Sequence, residues 1–389
     1  MFKMNKKIKG SKNLNVPNLR FPEFSGEWEK SRLNRFASKI TKKNKGNTIS
    51  NVLSNSANYG IIPQIDFFDR SIANSDNTEG YYVIEKNDFV YNPRKSASAP
   101  YGPINVYNGE ACGIISPLYL CFKVKGINRR FLYHYFKSTK WHPYMYANGD
   151  SGARHDRVSI KDETFLELPI FHPGEAEQCK IVELVESLDN RIATQIKIIE
   201  KLESLIKGLC SSLFDKNKYD SFVRLGDISE ITNGNSDVQD ASLSYSDGMY
   251  PFFDRSEDIK FLPEYLLDKE AIIYPGEGSE FYPRYYNGKF ALHQRCYAIY
   301  DIAPNFATRY LYFFCKTQNS YFVRNAVGST VASLRLDTFK RLNIPNIPIE
   351  VQKTYIQLLD KIETKIVDNK TVLKKYEEQK KYLLSKMFI

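Results

Sequence analysis

The chain has 389 residues, is 42% hydrophobic and carries 27 Tyr and 25 Phe, which is ample for two cored domains. No stretch reaches the roughly 18 uninterrupted apolar residues of a membrane span, and the basic start MFKMNKKIKGSKN lacks the apolar segment of a secretory signal. The six cysteines are scattered, with no CxxC pair and no Cys/His cluster, which argues against structural zinc and for free thiols in a reducing cytoplasm. The net charge of +10 is concentrated in residues 1–45, where thirteen Lys/Arg face three Glu, so the rest is near neutral. That segment reads as a solvated tail or as a polyanion-attracting one.

In chain order, residues 1–17 read as a disordered basic tail, and 18–173 as a globular domain. It opens on Leu19-Arg-Phe-Pro-Glu-Phe-Ser-Gly-Glu-Trp28, and 33–40 follows as its first helix or strand. Short apolar pieces at 81–84, 88–91 and 118–122, punctuated by Gly, Pro and Asn, predict a mixed, mainly antiparallel sheet. A helix is expected at 129–138, and His134 and His142 at its end read as packing residues. Pro173 and Glu175 then suit the first turn of a long helix over 174–214. A polar link leads to a second globular domain, 215–347, and a second long helix, 348–389.

The long helices are copies of one another. Adding 174 takes Gln178 to Gln352, Leu184 to Leu358, Ile192 to Ile366, Ser211 to Ser385 and Phe214 to Phe388, without a gap. Echoes in the globular parts keep the same order. Phe67-Phe-Asp-Arg-Ser71 matches Phe252-Phe-Asp-Arg-Ser256, and Arg130-Phe-Leu-Tyr133 matches Arg309-Tyr-Leu-Tyr312. Asn148-Gly149-Asp150-Ser151 is set against Val327-Gly328-Ser329-Thr330, and Leu168-Pro169 against Ile344-Pro345. The chain is therefore an internal repeat of the α+β class, with a pseudo-two-fold relation between similar globular domains separated by the helices.

Positions 181, 185, 188, 192, 195, 199, 202, 206, 209 and 213 step alternately by four and three and read Ile, Val, Leu, Ile, Gln, Ile, Leu, Ile, Leu, Leu. This is a coiled-coil seam with one polar layer, Gln195. The matching layer of the second helix is Asn369, and its end carries Lys380 at a seam position. Two-fold pairing makes the helices antiparallel and brings Gln195 to Asn369 as a register-fixing amide pair; the alternative is that each side chain reaches solvent. A 37-residue helix is roughly 55 Å long. Two similar modules so related suit the two-fold symmetry of duplex DNA and two separated half-sites.

With these features the sequence resembles the specificity subunit of type I restriction-modification enzymes. The resemblance is carried by Leu19-Arg-Phe-Pro-Glu-Phe-x-Gly-x-Trp28, by Leu225-Gly-Asp-Ile, and by the module-closing patterns Gly149…Leu168-Pro169…Glu177-Gln178 and Gly328-Ser-Thr-Val…Ile344-Pro345…Glu350-Val-Gln352. It covers residues 17–389. The first module departs in carrying Gly149-Asp-Ser-Gly where the family usually has Gly-Ser/Thr-x. The resemblance implies two target-recognition domains, each reading half of a bipartite double-stranded DNA sequence. It implies helices that set the spacing and dock two modification subunits, which bind S-adenosylmethionine and methylate adenine. Restriction (motor-nuclease) subunits can join, and this chain itself is non-catalytic. The sequence agrees: Asn92-Pro-Arg-Lys95 is the nearest string to a methyltransferase Asn/Asp-Pro-Pro-Tyr/Phe motif, and no GxxxxGK[ST] loop occurs.

Base reading calls for Arg or Lys toward guanine and Asn or Gln toward adenine, with Ser, Thr or backbone donors on phosphate. The candidates in the first domain are Arg94, Lys95, Ser96, Tyr101, Ser151, Arg154, His155 and Arg157. In the second they are Ser279, with Glu277 and Gly278 beside it, Arg284, Tyr285, His293, Gln294, Arg295, Ser329, Thr330 and Arg335. The competing reading of each is an ordinary surface or internal polar residue. Arg70 and Arg255, shared by both copies, suit a structural or phosphate-facing role. A coiled-coil assembly scaffold with peptide- or glycan-binding domains is the alternative function. A fused restriction enzyme with its own nuclease is the third reading, and no convincing Asp…Glu-x-Lys constellation supports it.

Overall fold

The computed structural model describes residues 3–4, 15–64, 78–151 and 156–389. The FFDRS copy at 67–71, with Arg70, and the candidates Arg154 and His155 lie outside the described residues. The chain divides into two compact units, Met1–Thr194 with Leu373–Ile389, and Gln195–Val372.

In unit 1, β1 (Lys3–Met4) pairs antiparallel with β2 (Leu19–Arg20), and Asn15 accepts a bond from Trp28 N at 2.7 Å. Of the tail expected to be disordered over 1–17, residues 5–14 lie outside the described residues. Strand β3 (Glu29–Arg32) is followed by a 3-10 turn, Leu33–Arg35, and β4 (Ala37–Lys39), so 33–40 is a turn and then a strand. The remaining strands are β5 (Val52–Ser56), β6 (Gly60–Pro63), β7 (Tyr82–Ile84), β8 (Phe89–Tyr91), β9 (Ile104–Val106), β10 (Gly113–Ile115) and β11 (Leu120–Val124). They form two four-stranded sheets, β6-β5-β10-β7 and β4-β11-β8-β9, antiparallel except for the β5–β10 pair.

Helix α1 (Arg129–Lys137) is capped by Asn128, whose side chain accepts from Arg130 N and Phe131 N, as an N-cap should. It is followed by α2 (His142–Asn148), the pair β12 (Asp150–Ser151) and β13 (Val158–Ser159), α3 (Asp162–Leu166) and β14 (Pro169–His172). Strand β14 returns to pair with β3, closing the domain at its own entrance. The core gathers Trp28, Phe89, Phe122, Phe131, Tyr135 and Phe165 with the opening turns of α4 (Glu175–Leu213).

Unit 2 repeats this plan with a simpler sheet. It uses β15 (Phe222–Arg224), α5 (Leu225–Ile228), β16 (Glu230–Asn233), β17 (Tyr250–Phe253), β18 (Lys260–Leu262), β19 (Leu267–Pro275), β20 (Arg284–Leu292) and β21 (Cys296–Tyr300). Strands 16 to 21 form one six-stranded sheet, β16-β21-β19-β20-β17-β18, and the run Ala271–Tyr274 at its centre is fully buried. Then come α6 (Thr308–Lys316), α7 (Asn319–Asn325), α8 (Leu336–Lys340), β22 (Asn343–Pro345) and α9 (Ile349–Met387). Strand β22 closes on β15 as β14 closes on β3.

The two 39-residue helices run antiparallel as a coiled coil. All ten expected seam positions on each helix are buried or half-buried. Gln195 Nε2 donates to the Asn369 Oδ1 and to its backbone carbonyl at 3.3 Å, and Gln195 is 8% exposed. Lys380, apolar in a strict seam, is accommodated by an ion pair with Asp189.

Each helix start is clamped in the same way. Gln178 Oε1 accepts from Asn128 N at 3.0 Å and its Nε2 donates to Pro173 O at 2.8 Å; Gln352 Oε1 accepts from Ala307 N and its Nε2 donates to Ile347 O, both at 2.9 Å. The helix ends match too. Phe388 packs on Phe131 and Tyr135, with centroids 5.2 and 6.2 Å away, and Phe214 on Tyr310 and Phe314, both at 5.5 Å.

The loop equivalence needs a correction. Asn148 Nδ2 caps Tyr144 O as Asn325 Nδ2 caps Tyr321 O, and Tyr144 OH reaches Thr164 O as Tyr321 OH reaches Thr338 O. Gly149 therefore corresponds to Ala326, and the pairing of Gly149 with Gly328 is two residues out of step. Gly328 serves a separate turn at φ 116°, where a Cβ would meet Val331 O at 2.4 Å.

Candidate nucleic-acid interface

In each unit two loops meet through one short antiparallel contact. In unit 1, Lys95 N donates to Asp156 O at 2.8 Å and Val158 N to Pro93 O at 2.9 Å, which sets Arg94 opposite Arg157. In unit 2, Gly278 N donates to Ala332 O at 3.0 Å and Leu334 N to Gly276 O at 2.8 Å, which sets Glu277 opposite Ser333. The hydrogen bonds flank the facing pair, so its side chains lie close together on one side of the contact. Both contacts follow a buried tyrosine at the end of a core strand, Tyr91 as the last residue of β8 and Tyr274 as the last but one of β19.

In unit 1, Arg94 is exposed and its Nε lies 3.7 Å from Asp156 Oδ2. Arg157 Nε is buried with no hydrogen-bond partner among the described residues. Burial raises the Tyr119 pKa, and Arg157 and Arg94 both pull against that rise, so the two guanidinium groups share one neighbourhood. Ser96 is exposed in a tight turn with Ala99, beside Ser98, which donates to Asn58 Oδ1 at 3.0 Å. Tyr101 lies elsewhere: its ring packs on Trp141 and His142 at the edge of the core. Ser151 belongs to β12, opposite Val158.

Unit 2 gathers more loops. Ser236 bridges His293, Gln294 N donates to Ser236 O at 3.0 Å, and Gln294 Nε2 to Asp237 Oδ2 at 3.3 Å. Arg295 N donates to His293 Nδ1 at 3.2 Å, and its Nη1 to Glu277 Oε1 at 2.5 Å. Glu277 is mostly buried, while the Arg295 side chain is 62% exposed. Ser333 Oγ also reaches Glu277 Oε1, at 3.5 Å. Close backbone approach demands glycine: a Cβ on Gly276 would lie 2.0 Å from Arg295 O, and one on Gly234 2.0 Å from Leu292 O. Ser279, Ser329, Thr330 and Arg335 are exposed on the same connected loops.

Two further candidates are half-buried and already engaged within the unit. The Arg284 guanidinium donates to Asp254 O and to Ser256 O at 2.8 Å and lies over the Phe253 ring. Tyr285, next in the strand and so on the opposite face, donates to Glu270 Oε1 at 2.6 Å and lies under Arg309. Arg255, the described copy of the shared arginine, is exposed, whereas its neighbour Asp254 is buried and bonded to Ser256 and Lys260. Sequence reading missed Asp156 and Ser333. Ser333 stands 176 residues after Arg157, the offset that relates Pro345 to Pro169, and that was the available signal.

Among the described residues no group of three or more His, Cys, Asp or Glu is placed to hold a metal ion, and no helix is long and apolar enough to cross a membrane.

This duplicated α+β frame, with loops of differing chemistry on a paired-helix axis, is the architecture of a DNA specificity subunit. The model of the type I restriction modification DNA specificity domain matches residues 25–204 and again 218–378, and the chain belongs to that family. The fold is similar to a crystal structure of a type-I restriction-modification system S subunit from M. genitalium, at 15% identity and TM-score 0.61, covering 96% of this chain and 99% of that one. It is also similar to a chain from a structural study of complex assembly and conformational transition of the type I R-M system, at 14% identity and TM-score 0.54, covering 92% and 96%. No curated protein matches the sequence. The family's role is DNA target recognition.

Proposed function

We propose that this chain is the DNA-reading subunit of a cytoplasmic type I restriction-modification complex. Each globular domain, 18–173 and 215–347, acts as a target-recognition domain and reads one half of a bipartite double-stranded target. The paired helices dock two modification subunits, which carry S-adenosylmethionine and methylate adenine, and restriction subunits join that assembly. The chain supplies specificity and no catalytic group.

One observation carries the reading: the same loop contact recurs in both units with different side chains, Arg94 and Arg157 against Glu277 and Ser333. A repeated frame with altered chemistry at its loops suits two readers of different sequences. Footprinting of the chain assembled with its modification subunits tests this. Two protected blocks about one helical turn apart are expected. Absence of any sequence preference at physiological salt overturns the reading in favour of an assembly scaffold.

A further inference from the structure

The two loop contacts differ in one telling respect. Like charges placed directly opposite each other across two strands repel. Unit 1 nevertheless sets Arg94 against Arg157, and Asp156 touches, among the described residues, only Arg94 of the two and at 3.7 Å. Arg157 Nε is left buried without a partner among the described residues. Such a pair is an incomplete ionic cluster, and an oxyanion placed between the guanidinium groups would complete it. Guanidinium forks match the oxygens of a phosphodiester.

Unit 2 uses the equivalent position otherwise. There the facing residue is an acid, and it neutralises no second cation in the contact. Glu277 is largely buried and holds the exposed Arg295 at one end of its fork, while Arg295 N is bonded to the His293 ring. Restraint at both the backbone and the guanidinium leaves an arginine with a fixed direction and spare donors facing outward. That is the requirement for bidentate contact with guanine O6 and N7. A loosely tethered cation suits a phosphate, and a buttressed one suits a base edge.

Resting on the DNA-reading function above, we infer that this contact divides the labour between the units: Arg94 and Arg157 clamp a backbone phosphate, and Arg295, held by Glu277, reads a base.

The test uses the full chain assembled with its modification subunits and a randomised DNA duplex pool, sequenced after selection. The wild type is expected to yield a bipartite motif. Arg94→Gln/Arg157→Gln should yield the same motif with uniformly weaker binding, and the slope of log affinity against log salt should fall by about 1. Arg94→Lys/Arg157→Lys should restore that slope, which loss of folding could not allow. Glu277→Gln and Arg295→Gln should each relax one base position in one half-site, with discrimination reduced roughly 5- to 150-fold and the salt slope of Glu277→Gln unchanged. The division is overturned if the Arg94/Arg157 variant changes the motif at an unchanged slope, or if Glu277→Gln and Arg295→Gln leave every position intact. If the wild type selects no motif at all, the DNA-reading function itself falls.

Discussion

Helix α1 of unit 1 and helix α6 of unit 2 occupy the same place in their repeats, yet they are held by different means. Arg130 Nε donates to Glu186 Oε1 at 2.6 Å, a pair whose arginine is 54% exposed. Its equivalent, Arg309, donates to Asp360 and Glu363 and lies over the rings of Tyr285, Tyr312 and Phe313, at 19% exposure. Lys316 adds a second bond to Glu363 at 3.0 Å. Where unit 2 has the apolar Phe313, unit 1 has His134, 2% exposed, with neither ring nitrogen hydrogen-bonded among the described residues. The difference teaches that duplication preserved the contact between helix and domain while the energetics drifted: unit 2 acquired a dense ionic and aromatic cluster, unit 1 a buried titratable ring.

The largest break in that comparison comes from removing the arginines. Arg309→Ala removes the cation shared by Asp360 and Glu363 and its stacking on three rings, leaving Glu363 only Lys316 and Tyr312, and should destabilise unit 2 by about 3 kcal/mol. Arg130→Ala should cost unit 1 no more than about 1 kcal/mol. Hydrogen exchange of the α6 and α1 amides reads the two units separately, and equal losses would show the clusters to be equivalent after all. Acid provides the next. Burial lowers the His134 pKa to about 4, against the opposing pull of Asp189 and alongside Lys380, Arg130 and Lys137, with Glu186 3.9 Å from the ring. The unfolded chain binds this proton near pH 6.5 and the folded chain does not, so stability falls as pH drops from about 6.5 to about 4. The loss is about 3 kcal/mol in unit 1, and His134→Phe should abolish it.

Unit 2 has its own acid response with a different window. Burial pushes the Glu363 carboxyl up, but bonds from Arg309 and Lys316 outweigh it and hold the pKa below its ordinary 4.5. Its contribution is therefore intact above that value and fades only below it. Exchange measured at pH 7 and pH 5 should show protection falling in unit 1 alone. The smallest effect sharpens the seam. Asn369→Leu leaves the buried Gln195 amide only the backbone carbonyl of residue 369 and should cost about 1 kcal/mol. Adding Gln195→Leu should recover most of it but permit a slipped register, which cysteine crosslinking across the seam would detect. A single crosslinked register in the double variant would assign the amide pair no role in alignment.

The helices were legible because their signal is periodic and ungapped. Steps of four and three located every seam position, and a constant offset matched Gln195 to Asn369. The loops resisted for a physical reason: a strand alternates faces, so neighbouring polar residues part company. Arg284 turns to the Asp254–Ser256 loop and Tyr285 to Glu270, although the sequence sets them side by side. Gly149 and Gly328 misled in another way, because shared identity suggested an equivalence that the helix-terminal asparagines place two residues away. Nor did the motif Leu19–Trp28 reveal its purpose. Arg20 forms two bonds with Glu177, at 2.8 and 2.7 Å, and Trp28 Nε1 adds a third at 3.3 Å. The corresponding position of the second helix is Val351, so this buried clamp belongs to unit 1 alone.

The seating of Phe388 on Phe131 and Tyr135 also bears on how the chain is made. Leu383, Leu384, Met387 and Phe388 are part of the unit 1 core, yet the ribosome reaches them only after all of unit 2. Throughout that interval the receiving face of α1 stays uncovered, an apolar surface awaiting its last side chains. Unit 2 has no such wait, since Phe214 is already in place when Tyr310 and Phe314 emerge. The first domain to be translated is thus the last to be completed, and a ribosome stalled in α9 beyond Val372 would release a protein whose defect lies in unit 1.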